Sequence, residues 1–165
     1  MIFDEVSLTD IQDFVVREVA TSSAFAALAT SLINKTFVFY RGDDLRIGPS
    51  SRGDAYFIAS KFNAQDSENV DTVFFIQFVL GVVDGPDLPD PVADSDGVYI
   101  LPQTDHVEQL AIEALGIIRQ GLSSGGLKGR CDMRISDTNI LITEVGEADD
   151  VQAIVTLRFE SFKTL

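Results

Sequence analysis

Hydrophobic and polar positions follow two different periods along this chain. Near its start, Ile11, Phe14, Val15 and Val19 recur at helical spacing, while Asp10, Asp13, Arg17 and Glu18 fill the other side. Ser7 stands where a cap is needed, with Asp10 three positions later, and Val6 can staple onto Ile11. A second, alanine-rich helix is predicted over residues 23–32, with Thr21 and Ser22 marking the break. From Thr36 the pattern turns to β. Strands are predicted over residues 36–41, 55–62 and 70–83, with a polar turn over 63–69. The 70–83 segment is apolar on both of its faces, which predicts a central strand covered on both sides.

Residues 84–97 contain three prolines and read as a loop. A short strand over 98–101 leads to Pro102, and a long helix follows over 105–122. Its stripe is Val107, Leu110, Ala111, Ala114, Leu115, Ile118 and Leu122, ended by Ser123-Ser124-Gly125-Gly126. Three strands close the chain, over 128–135, 139–145 and 151–162, with a hairpin loop over 146–150. In the last strand Val151, Ala153, Val155, Leu157 and Phe159 alternate with polar residues, so one face is buried and the other is not. No repeat or linker interrupts this order. It predicts one α+β domain over residues 1–165, a mixed or antiparallel sheet with helices packed on one face.

Composition narrows the function. Twelve Lys and Arg against 26 Asp and Glu leave a net charge of −14 across 165 residues, which argues against sequence-specific nucleic-acid binding. The acidic start lacks a secretory signature, and the longest apolar run, residues 73–83, is about half a membrane span, so a cytosol-like compartment and no membrane are expected. One cysteine, Cys131, and one histidine, His106, argue against a protein-only zinc site and against a nucleophile–base pair; no catalytic residue, metal ligand or cofactor is expected. Cys131 reads as structural, and His106, in the first turn of its helix, as a surface residue.

Two segments remain as candidates. Arg41, Arg46 and Arg52 mark a turn-rich excursion over residues 41–54, in which Arg-Gly-Asp occurs twice. An adhesion role needs a secreted protein, so the alternatives are a contact between subunits, where Arg pairs with carboxylates, and a solvated connecting loop. The second is the acidic loop with Asp84, Asp87, Asp90, Asp94 and Asp96. Asp94-Ser95-Asp96-Gly97 has the opening of a calcium loop but lacks its third ligand and its closing Glu. A solvated or partner-contacting loop is the favoured reading.

The order of elements, the central helix His-Val-Glu-Gln-Leu-Ala-Ile-Glu-Ala-Leu-Gly-Ile-Ile-Arg-Gln-Gly-Leu and the closing strand with Arg158 and Phe159 resemble the tail terminator, or tail completion, proteins of tailed bacteriophages. The resemblance covers most of the chain, in the order and size of its elements. It implies a non-enzymatic virion protein, made in the host cytoplasm, that forms a homo-oligomeric ring, a hexamer, on the tail tube. Its partners would be the tail-tube protein and a head-connector or neck protein, with DNA passing through unbound. The acidic charge is compatible with a conduit that repels phosphates. The alternatives are another neck or tail component, such as a tube or head-completion protein, and a small-molecule- or metal-binding regulatory domain.

Overall fold

The computed structural model describes residues 6–42, 55–65, 70–83, 92–99, 102–130, 132–145 and 150–162. Helix α1 (Leu8–Ala20) starts at the predicted cap. The Asp10 amide donates to Ser7 Oγ at 3.1 Å, and the Ser7 amide donates to Asp10 Oδ2 at 2.7 Å, so two otherwise unpaired helix-start donors are satisfied together. Val6 is fully buried beside this start. Thr21 ends α1 and Ser22 caps α2 (Ser23–Ile33), accepting from the Phe25 amide at 3.2 Å. Asn34, at φ +53°, takes the left-handed turn that stops α2.

Five strands follow the two helices: β1 (Val38–Arg41), β2 (Ala55–Gln65), β3 (Val70–Val83), β4 (Met133–Val145) and β5 (Asp150–Phe162), with helix α3 (Pro102–Ser123) between β3 and β4. They form one sheet in the order β1-β2-β3-β5-β4. β1 runs parallel to β2, and every other neighbour is antiparallel, which makes the sheet mixed. The fold is α+β, and β3 is central as its composition predicts.

All three helices lie on one face. Phe57, Phe74, Phe78, Leu157 and Phe159 point from the strands into the same core as Ile11 and Val15 of α1, Phe25 of α2 and Leu110 and Ile118 of α3. Each such side chain contributes about 1.5–3 kcal/mol on burial, so this face dominates stability. The end of α3 is a Schellman closure: Gly126 N–H donates to the Gly121 carbonyl and Gly125 N–H, at φ +78°, to that of Leu122.

Several sequence expectations need correction. Strand β2 does not stop at Phe62 but continues to Gln65 through a bulge between Lys61 and Asn63; residues 66–69 of the predicted turn lie outside the described residues. Of the strand predicted over 98–101, Tyr99 forms an isolated bridge to Ala93, and residues 100 and 101 lie outside the described residues. Helix α3 begins three residues earlier than expected, at Pro102, where a missing amide costs a helix nothing. The strands predicted over 128–135 and 139–145 are one strand, β4, with its bulge between Ile135 and Asp137. Before it, Lys128 and Gly129 both take positive φ and the Leu127–Arg130 bridge closes a turn. Among the described residues, helices cover β3 on one face only. On the other, Val79 is buried in a small cluster with Tyr56 and Ile58, whereas Phe75 and Gln77 are half-buried.

Candidate assembly surfaces

Arg41 ends β1 and lies against α1. Its Nη1 donates to Asp13 Oδ1 at 2.8 Å, and Arg17 Nε, one helical turn from Asp13, donates to both oxygens of the same carboxylate at 2.9 Å. Lys61 Nζ donates to Thr9 Oγ1 at 3.2 Å, and Lys128 Nζ lies 2.8 Å from Asp10 Oδ2. The polar side of α1 thus gathers cations from β1, β2 and the turn before β4 around its own carboxylates. A groove of about 300 Å3 opens here, lined by Asp10, Asp13, Phe14, Arg17, Glu18 and the 126–128 turn. Asp10 has its carboxyl below the ordinary value of 3.8, first through the hydrogen bond from Lys128 and then through that from the Ser7 amide. These exposed pairs stabilise weakly, so the surface is a nearly neutral patch on an acidic molecule rather than a strong ionic lock. Arg46 and Arg52 lie outside the described residues, so Arg41 alone of the three is placed.

Asp94 and Asp96 belong to a tight turn. Asp94 Oδ1 accepts from the amides of Asp96 at 2.9 Å and Val98 at 3.0 Å, and the Asp94 amide donates to the Val98 carbonyl at 2.8 Å. Gly97 at φ +82° closes it. That oxygen is therefore occupied by backbone donors, and among the described residues no group of three His, Cys, Asp or Glu side chains is placed to hold a metal ion. Val92, Val98 and Tyr99 are exposed around the acidic tip. Asp84, Asp87 and Asp90, like Cys131, lie outside the described residues.

His106 is not the free surface residue its position suggests. It is half-buried, and its Nδ1 is enclosed without a hydrogen-bond partner among the described residues. Sequence reasoning also missed a buried carboxylate. Glu160 of β5, on the face that alternation assigns to solvent, is 4% exposed. Arg134 Nε donates to its Oε1 at 2.7 Å, and Arg158 Nη1 lies 3.3 Å from its Oε2. The signal was present as Arg158 and Glu160, two residues apart on one strand and hence on one face. On the same face, Gln152 is also buried and donates to the Tyr56 hydroxyl at 2.5 Å.

A second groove, about 260 Å3, lies between α2 and β1. Phe25 packs edge-on to Phe37 and Phe39 there, with ring centroids 5.1 and 6.1 Å apart. No protein-family model and no curated protein matches the chain.

Proposed function

We propose that this chain is a structural virion protein of a tailed bacteriophage, a tail terminator that forms a ring on the tail tube and joins it to the head connector. The observation that carries this reading is the architecture: two helices, three strands, a long helix and two strands, with the helices on one face of a sheet whose margins, among the described residues, are β1 and β4. Such a subunit is built for lateral joining. A ring multiplies the −14 charge of each copy and gives a conduit along which DNA slides without being held. The ring, a hexamer in this reading, sits between the tube and neck proteins and needs no cofactor.

Arg41, Arg46 and Arg52 are assigned to the subunit contact, and the acidic loop with Asp84, Asp87, Asp90, Asp94 and Asp96 to a partner. Arg41 retains about half of its side chain in solvent even while bonded to Asp13, so it can still reach a neighbour. The test is location. Gold-labelled antibody on purified particles should mark the head–tail joint, at about one ring of copies per particle by quantitative mass spectrometry. Label spread along the whole tail would identify a tube protein instead, and absence from particles would overturn the virion assignment.

A further inference from the structure

Among the described residues, no further strand lies beyond β1 at one margin of the sheet or beyond β4 at the other. Among the described strands, β1 pairs only with β2 and β4 only with β5. Natural proteins blunt such edges with Lys, Pro or short strands, because a row of unpaired N–H and C=O groups recruits another chain. β4 is 13 residues long. Its residues 138–143 read Thr-Asn-Ile-Leu-Ile-Thr, with no charge, proline or glycine. Left bare, that composition is an aggregation hazard. At the opposite margin, residues 20–40 carry a single charge, Lys35, in a chain where 23% of residues are charged. This stretch contains all of α2, whose Ala24, Ala26, Ala27 and Ser31 are exposed, and β1 up to Tyr40, with Arg41 at its end.

The two margins also match each other. Strand directions alternate from β2 through β3 and β5 to β4, while β1 follows β2, so β4 of one subunit meets β1 of the next antiparallel if the sheet continues. Val38 is 44% exposed and Leu141 56% exposed. Both lie on the face away from the helices, since Val38 pairs with Tyr56 and Leu141 with Ile154. Setting them opposite each other covers both. The same register places Tyr40 opposite Asn139, and Phe39 opposite Ile140 on the helix face, beside the groove lined by Phe25 and Phe37.

We propose that β4 of one copy adds to β1 of the next, antiparallel with Val38 opposite Leu141, so that identical subunits join head to tail in one continuous sheet. A two-fold β4–β4 pairing would leave β1 and α2 bare, whereas the head-to-tail contact covers both margins with one interface. Closure of the array into a ring rests on the function proposed above.

The test uses the full chain carrying Cys131→Ser, with Val38→Cys and Leu141→Cys together, at about 1 M salt to screen the repulsion between acidic subunits. Both positions are exposed, so the fold should be retained. Oxidation or a short bis-maleimide should give a ladder of covalent oligomers, while a mixture of the two single variants should stop at dimers. Adding Asn139→Lys and Thr143→Lys to the double-cysteine chain should cut the ladder at least tenfold with unchanged circular dichroism. No ladder, a ladder that survives the lysines, or efficient dimers from Leu141→Cys alone would overturn the pairing. A ladder without label at the head–tail joint removes the tail assignment and leaves the pairing standing; label at the joint without a ladder does the reverse.

Discussion

The two faces of the sheet achieve burial by different means. On the helix face, Phe57, Phe74, Phe78, Leu157 and Phe159 join one continuous core with α1, α2 and α3. On the other face burial is local: Tyr56, Ile58 and Val79 close one end, and Glu160 with Arg134 and Arg158 occupies another part. The first face is generic hydrophobic packing that tolerates exchange of similar shapes; the second depends on particular polar partners. β3 belongs to both, which is why it is apolar on each side although, among the described residues, helices cover only one.

Truncation should separate the faces most clearly. Phe78 is fully buried and stacks on Phe57 with centroids 4.8 Å apart, so Phe78→Ala should cost about 3–5 kcal/mol. Its neighbour Val79 points to the other face, and Val79→Ala should cost distinctly less, about 1–2 kcal/mol. Urea midpoints at constant slope measure both. Equal losses would mean that the second face is as continuous a core as the first.

Charge removal probes the polar part of the second face. The Glu160 side chain is 5% exposed, while those of Arg134 and Arg158 are 53% and 36% exposed. Removing both arginines leaves a buried carboxylate without its counter-charges, whereas removing the carboxylate leaves arginines that water can reach. Arg134→Ala with Arg158→Ala should therefore destabilise by about 2–3 kcal/mol, and Glu160→Gln by about 1 kcal/mol. The reverse order in thermal melts would show that Glu160 is solvated in solution.

This asymmetry explains what was legible in the sequence. The helix face was readable because period alone encodes it: the α1 and α3 stripes and the Val151-to-Phe159 alternation all landed in one core. The capping of α1 was readable because Ser7 and Asp10 act within three residues of each other, whereas Ser22 was legible as a break and not as the cap of α2. The other face was not, because its partners are remote. Gln152 meets Tyr56 across 96 residues, and Glu160 meets Arg134 across 26. Bulges hid the true extents of β2 and β4, since one inserted residue reverses the alternation that marks a strand. Of the candidate residues, Arg41 and Asp94 were legible as polar and exposed, but their bonds to Asp13 and to local amides are tertiary and turn geometry that composition does not encode.

Gly81 tests how tightly the second face is fitted. A Cβ built there would fall 2.2 Å from the Tyr56 ring, which is itself buried and held by Gln152. Gly81→Ala should cost about 2 kcal/mol, within the usual range for overpacking. Combining it with Tyr56→Ala should recover part of that loss, as a positive coupling in a double-mutant cycle. Strict additivity would mean that the ring moves aside at no cost.

The smallest expected effect lies at the rim of the helix face, where α1 is tied to the turn before β4. Asp10 accepts from the Ser7 amide and pairs with Lys128, and Asp10→Ala removes both links. The loss of the capping box should cost about 1 kcal/mol near neutral pH. The pH dependence follows from the sign of the shift. The folded carboxyl lies below its ordinary value of 3.8, chiefly because of Lys128, so the folded state binds its proton more weakly than the unfolded chain. That contribution is complete above about pH 4 and is lost as pH falls through the lower folded value. Asp132 behaves alike, held down mainly by the hydrogen bond from Arg130. The stability difference between wild type and Asp10→Ala should thus be flat from about pH 5 to 7 and shrink below pH 4. Chemical denaturation across that range reads it directly. A difference that stays constant down to pH 2 would show that the capping geometry, and not the ionised carboxylate, is what holds the start of α1.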